Sequence, residues 1–279
     1  MINVVISGLQ GKFNVAQASK RLGTFIEKHA NIIAIDLDMT LDLENCDADM
    51  VIVLGGDGSI LGAARRMGRR QVPVVGINFG KFGFLASFSE EEFYIEFPKI
   101  AQNQGIISKR LMLLCKHIRD GEVLQTIPAT NEIVVSHTMP RMIDLRLYMD
   151  QQALTTFRGD GVILATATGS TGYSLSAGGP ILEPGIDNFL VAPICPHTLT
   201  SRPLVFSADN IVEIEFLSKN KRTAMTVDGQ IDYRMRTGDR VRVEKFNQHF
   251  QIIQPANANF FETLRRKLNW GGQINYASH

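Results

Sequence analysis

The sequence is poor in cysteine. Its 279 residues include only Cys46, Cys115 and Cys195, far apart and odd in number. That excludes a disulfide scaffold and points to a reducing compartment. Long apolar runs are missing as well. No stretch approaches the ~20 apolar residues that a membrane-spanning helix needs. The opening "MINVVISGLQ" has neither a basic n-region nor an apolar h-region, so a cytoplasmic protein without membrane contact is the expectation. Charge of one sign is scarce: the formal net charge is +1. No global field favours nucleic acid or acidic lipid, and no nucleic-acid partner is expected. Internal repeats and low-complexity tracts are lacking too. What remains is 44% hydrophobic and 20% charged, the composition of a globular protein with a real core. The length allows one large domain or two ordinary ones.

The pattern changes near residue 106. Before it, strands at 2–7, 32–37, 50–55 and 72–78 alternate with helices. Asn14 is expected to cap a helix with Val15, Ala18, Leu22, Phe25 and Ile26 on its apolar face. Another helix runs from Ser59 to Met67. "SEEEF" (89–93) starts a further helix, with Ser89 and Glu92 at capping-box spacing, which Pro98 should kink or split. Near-continuous apolar strands between helices indicate a parallel sheet covered on both faces. After residue 106 the period becomes two, as in "IDLRLYMD" (143–150), "VEIEF" (212–216) and "RVRVE" (240–244). Asp120-Gly121 is a hairpin-turn pair. The expectation is an α/β N-terminal domain with a Rossmann-like parallel sheet over 1–105 and a mainly antiparallel β domain over 106–256. The segment 257–279 would bring a C-terminal helix back to the first domain, with Phe260, Leu264 and Leu268 on one face.

Two glycine-rich segments carry the chemistry. "VIVLGGDGSI" (51–60) ends a strand and opens a helix, with Asp57 among Gly55, Gly56 and Gly58. Ligands of open α/β sheets bind in such crevices. There backbone N–H groups and a helix N-terminus favour phosphate. A carboxylate would repel phosphate unless it binds a metal, takes a proton or contacts a hydroxyl. The Rossmann fingerprint fails because Leu61 fills its third glycine place, and no P-loop is present. A tight turn with Asp57 as a helix cap explains this stretch about as well.

The second segment, "RGDGVILATATGSTGYSLSAGGPI" (158–181), again sets an acid, Asp160, between glycines. It adds Thr168, Ser170, Thr171, Tyr173, Ser174 and Ser176 among Gly169, Gly172, Gly178 and Gly179. Small hydroxyls and bare backbone suit polyhydroxyl and phosphate recognition. A polar surface loop would rarely mix in Leu164, Ala165, Ala167, Leu175 and Ala177, which favours a buried site. Asn131-Glu132, opening "NEIVVSH", can hold a ribose diol or simply start a strand.

Taken together the chain resembles the NAD kinase family. The resemblance rests on "GGDGSILGAAR" (55–65), "GINFGKFGFL" (76–85), "NE" (131–132), "GDGVILATATGSTGYSLSAGGPI" (159–181), "PICPHTLTSRPLV" (193–205) and "VDGQ" (227–230), in family order over most of the chain. The Gly-Gly-Asp-Gly turn is shared with lipid and sugar kinases, whereas the 168–180 segment is far more specific. The resemblance implies transfer of the γ-phosphoryl group of ATP to the 2′-hydroxyl of the adenosine ribose of NAD. Mg²⁺ or another divalent cation would assist, in a homodimer or homotetramer. It makes Asp57 the general base or hydroxyl-orienting acid. It implies dinucleotide or phosphate contacts at Gly56, Gly58, Phe79, Asn131, Glu132, Arg141, Arg158, Asp160, Thr168, Gly169, Ser170, Thr171, Gly172, Tyr173 and Gln230, with no protein metal ligand assigned. Ser59, Lys81-Phe82, Gly159 and Gly172 depart mildly from the usual pattern.

Other readings carry less. Cys195 and His197 lack a second ligand pair for a metal site. No Gly-x-Ser-x-Gly elbow marks a hydrolase. "KNKR" (219–222) has no interleaved aromatics and reads as a solvated hairpin. A catalytically silent dinucleotide-binding regulator would be expected to lose Asp57 or the Asn131-Glu132 pair, and both are present.

Overall fold

A computed structural model describes residues 1–11, 14–80, 83–139, 141–198, 200–219 and 222–271. Lys81-Phe82 and part of "KNKR" lie outside the described residues, as does the end of the C-terminal segment. The chain divides into two compact units. One comprises 1–63, 72–108 and 251–279; the other comprises 64–71 and 109–250.

The first unit follows a βαβ course. Its elements are β1 (Asn3–Gly8), α1 (Val15–Ile26), β2 (Asn31–Asp36), β3 (Met50–Leu54), α2 (Asp57–Arg66), β4 (Val74–Ile77), α3 (Glu90–Ile100) and β5 (Ile106–Arg110). A late strand, Phe250–Gln254, completes a sheet in the order β2-β1-β3-β4, then this late strand, then β5. The pairs from β2 to β4 are parallel. β3 and β4 are buried throughout because they lie inside the sheet. β2 alternates instead, with Ile33 and Ile35 exposed, because it is the edge strand.

Val15, Ala18, Leu22 and Ile26 of α1 face the core as expected. Asn14 does not cap that helix through its side chain: its φ of 54° is left-handed, not the extended conformation that aims an N-cap oxygen at the first-turn amides. The capping box of α3 is complete, with Glu92 N–H donating to Ser89 Oγ at 3.1 Å and Ser89 N–H to Glu92 Oε2 at 2.8 Å. Pro98 does not split α3, which continues to Ile100. The ring falls in the last turn, where only one helical hydrogen bond is forfeited. The final helix, α5 (Phe260–Leu268), is capped by Asn259 Oδ1 and belongs to the first unit. Only Leu264 of its expected apolar face is buried.

The second unit stacks two antiparallel sheets. Its strands are β6 (Leu113–Arg119), β7 (Glu122–Ala129), β8 (Glu132–His137), β9 (Ile143–Met149), β10 (Gln152–Gly159), β11 (Gly161–Thr166), β12 (Asn188–Ile194), β13 (Leu204–Ser207), β14 (Val212–Phe216), β15 (Thr223–Val227), β16 (Ile231–Met235) and β17 (Arg240–Lys245). The late strand of the first sheet is then β18. One sheet runs β10-β9-β14-β17-β6-β7 and the other β13-β12-β11-β8-β15-β16. Leu145 and Leu147 from the first meet Val162 and Leu164 from the second in one core. Asp120-Gly121 forms the expected hairpin turn, with φ of 51° and 83°. Asp150-Gln151 and Asp228-Gly229 also have two positive φ values in succession, the signature of the same turn type. The other face of the β8–β11 sheet is covered too. Ile163, Ala165, Leu190 and Ala192 pack there with Ala167 and Leu182. That covering segment holds a single 3-10 turn, Gly169–Thr171, and a short helix, α4 (Tyr173–Ser176). Among the described residues no helix is long and apolar enough to cross a membrane.

Candidate functional site

In the first unit, Asp57 is the first residue of α2, just past the carboxyl end of β3. Its half-buried carboxylate is gripped by backbone. Oδ1 accepts from Leu85 N–H at 3.0 Å and Ala86 N–H at 2.9 Å, and Oδ2 accepts from Phe84 N–H at 2.8 Å. A carboxylate offers about four lone-pair sites, so Oδ2 keeps one for a ligand hydroxyl. Gly83 makes this grip possible. A Cβ there would stand 2.6 Å from the Asp57 carboxyl carbon and 2.9 Å from Oδ2. At Gly56 a Cβ would meet nothing within 4 Å, so packing inside the chain does not demand that glycine. Gly58 is exposed, and Phe79 packs partly buried against the core of this unit.

In the second unit a different set gathers where β8 begins and β11 ends. Thr166 Oγ1 donates to Thr130 C=O at 2.6 Å and accepts from Gly169 N–H at 3.1 Å. Thr166 N–H donates to Asn131 C=O at 2.9 Å. This brings the 168–174 loop onto Asn131-Glu132 so closely that Gly169 has no room for a side chain: a Cβ would stand 2.6 Å from the Asn131 carbonyl carbon. At Gly172 a Cβ would lie 3.5 Å from Glu132 Oε2. At this junction Thr130 Oγ1, Asn131 Oδ1, Glu132 Oε2 and Thr168 Oγ1 are buried with no hydrogen-bond partner, while the equally unpaired Ser174 Oγ lies against Gly179. Buried polar atoms are nearly always paired, so a cluster of four orphans is a cradle for a polar ligand. Glu132 is buried, and burial first and the neighbouring Asp228 second push its carboxyl up to about 8. Burial thus favours its neutral form, which can donate as well as accept.

The remaining expected residues divide. Ser170 is sealed inside the loop: its Oγ donates to Ala167 C=O at 2.7 Å and accepts from Leu182 N–H at 3.0 Å. Thr171 is half-buried, and Tyr173 stands exposed beside it. Arg158 projects from β10 and pairs with Asp144 at 2.7 Å. Arg141 is exposed in the turn before β9, and Asp160 lies between β10 and β11, its N–H bonded to Ile194 C=O. Gln230 Oε1 accepts from Arg65 Nη2 at 2.9 Å. The sequence reading passed over Asp228 and Arg65. Asp228 is part of "VDGQ", but an Asp-Gly pair reads as a turn, and nothing local shows that its carboxylate reaches the 130–132 amides. Among the described residues no three His, Cys, Asp or Glu side chains gather as a metal cluster.

Comparison with known proteins identifies the family. Residues 5–105 match the ATP-NAD kinase N-terminal domain and residues 130–255 the ATP-NAD kinase C-terminal domain. An NAD kinase of Rhodopirellula baltica is 44% identical over 272 residues, covering 97% of this chain and 88% of that protein. The structure of yeast NADH kinase complexed with NADH superposes with a TM-score of 0.90 at 25% identity, covering all of this chain and 90% of that one. An NAD kinase from Archaeoglobus fulgidus in complex with ATP superposes with a TM-score of 0.78 at 27% identity, covering 96% and 99%.

Proposed function

The chain belongs to the ATP-NAD kinase family, and on that premise we propose that it phosphorylates NAD with ATP to give NADP. The acceptor is the 2′-hydroxyl of the adenosine ribose. Its oxygen forms a bond to the γ-phosphorus as the bond from that phosphorus to the β–γ bridging oxygen breaks, and ADP leaves. The proton passes to Asp57, which also orients the hydroxyl through the lone-pair site left open on Oδ2. Phosphoryl transfer depends mostly on alignment and charge stabilisation, and a carboxylate pinned by three amides supplies alignment. The observation that carries the reading is the cradle of orphaned atoms on Thr130, Asn131, Glu132 and Thr168. A dinucleotide offers the hydroxyl, amide and ring-nitrogen partners these atoms lack. Gly172 and the exposed ring of Tyr173 flank it. Bare backbone at Gly56 and Gly58 admits phosphate oxygens. Phe79, Arg141, Arg158, Asp160, Gly169, Ser170, Thr171 and Gln230 complete the proposed set by contact or by support.

A divalent cation, Mg²⁺ or another, enters with ATP. Such ions in phosphoryl transfer are held mainly by phosphate oxygens, waters and one or two carboxylates. When bound, it neutralises phosphate charge. We place the protein in the cytoplasm, as a homodimer or homotetramer. The three cysteines, all free, support a reducing compartment.

The test is a coupled assay of purified protein with NAD, ATP and Mg²⁺, reading new NADP with an NADP-specific dehydrogenase. Loss of general-base help predicts that Asp57→Asn turns over ~10²–10⁴-fold more slowly, with NAD binding retained. A mutant with wild-type kcat would remove Asp57 from the mechanism. Because the yeast relative is an NADH kinase complexed with NADH, the assay is run in parallel with NADH as acceptor.

A further inference from the structure

Asp228 occupies the first turn position between β15 and β16, with a φ of 50°. It is almost wholly buried. Its Oδ1 accepts from Asn131 N–H at 2.7 Å and Glu132 N–H at 3.2 Å, and Thr130 N–H lies 3.1 Å from Oδ2. In return its own N–H donates to Glu132 C=O at 2.9 Å. One side chain thus gathers three successive N–H groups, those of Thr130, Asn131 and Glu132, the last two from the residues that carry the orphaned Asn131 Oδ1 and Glu132 Oε2. A plain Asp-Gly turn needs none of this, since the turn residue would serve as well with its carboxylate in water.

We propose that Asp228 is a positioning residue for dinucleotide binding, its buried carboxylate fixing the backbone from which Asn131 and Glu132 reach the ligand. This rests on the proposed function. Asp228 touches no ligand and acts through its neighbours. It has a second effect, because its carboxyl faces Glu132; burial raises the Asp228 carboxyl too, while the three amides and Arg65 favour its charged form. Burial comes first and Asp228 second in raising the Glu132 carboxyl. Asp228 in turn faces Arg65, whose guanidinium also faces Tyr233 and Arg66 and donates to Gln230. Removing the Asp228 charge therefore moves Glu132 back towards the ordinary carboxyl range. The readout that a merely structural role would not give is NAD affinity lost while kcat at saturating NAD is retained.

The experiment is calorimetric titration of NAD into the full chain across the pH range that brackets the Glu132 value of about 8, with kcat measured at saturating NAD. The wild type is expected to show one limb in NAD affinity near pH 8, which Glu132→Gln abolishes. Asp228→Asn should bind NAD ~10-fold or more weakly, because three buried amides lose an ionised acceptor. Its limb should move to lower pH while kcat at saturation changes little. An Asp228→Asn protein with wild-type affinity and an unmoved limb overturns the proposal. If that variant does not fold, the wild-type and Glu132→Gln curves decide: a wild-type limb that is absent, or that survives Glu132→Gln, overturns it. A wild type that binds no NAD at any pH removes the proposed function itself.

Discussion

Gly83→Ala tests whether the amide grip on Asp57 matters to turnover. The new methyl would run into Asp57 Oδ1 and stand 2.6 Å from the carboxyl carbon, so one of the two must retreat by well over the roughly 0.8 Å that would bring the carbon alone to ordinary contact at 3.4 Å. If the carboxylate yields, it turns away from the N–H groups of Phe84, Leu85 and Ala86. If the backbone yields, those three amides withdraw from it. Either way the lone pair on Oδ2 is re-aimed by most of an ångström or more. Misplacement of that size at a reacting group costs ~10²-fold in rate. The expectation is a kcat near one hundredth of wild type, from ~10², in the coupled NADP assay. NAD affinity by calorimetry should hardly change, since Asn131, Glu132 and Thr168 are untouched. Leu85 and Ala86 are buried, so an amide released from Asp57 there loses its acceptor, and the thermal transition is recorded beside kcat. A variant with wild-type kcat and an intact thermal transition would refute the argument that the grip aligns Asp57. A variant that loses NAD affinity in step with kcat would refute the separation of alignment from dinucleotide binding.

Two further outcomes follow from the packing of the second unit. Gly169→Ala drives a methyl into the Asn131 backbone, where no flexible side chain can give way. Overpacking of this kind costs ~1–3 kcal/mol, which for a chain of this size lowers Tm by about 2–4 °C per kcal/mol, and KM for NAD should rise with it. An unchanged Tm and KM would mean that the loop does not sit on Asn131. Asp239, almost fully buried, is raised by burial but held lower overall by hydrogen bonds from Arg119, Arg236 N–H and His117. Its folded pKa lies below its ordinary 3.8, so its contribution is present above that value and is lost as pH falls through the folded one. Asp239→Asn should therefore lower Tm at neutral pH and flatten the acid limb of a Tm-against-pH curve. A parallel displacement of the whole curve would show that the carboxylate's charge is not what matters.

Much of this protein was legible before any fold was known. The strands before residue 106 announced themselves as apolar runs, and the later ones as alternation, because burial on two faces or one leaves those periods. Ser89 and Glu92 formed their capping box because its partners are three residues apart. Asp57 and the 168–174 loop stood out because glycines beside acids and hydroxyls are costly unless backbone must approach something. Errors came where neighbours in space overrule neighbours in sequence. β2 reads as buried but lies at a sheet edge. Asn14 has a capping side chain but a left-handed backbone.

Only the tertiary structure revealed what each site residue is joined to. Ser170 and Tyr173 look alike as loop polar groups, yet one hydroxyl is locked on Ala167 and Leu182 while the other side chain is exposed. Asp57 was visible; its hold on the amides of 84–86 was not, since 27 to 29 positions separate them. Asp228 lies 96 to 98 positions from the amides it gathers and reads locally as half of a turn. The sequence by itself determined the chemistry on offer, because residue type sets which groups can donate, accept or titrate. The fold decided which of those groups were satisfied by the chain and which were left for a ligand, because hydrogen bonding and burial depend on distance in space.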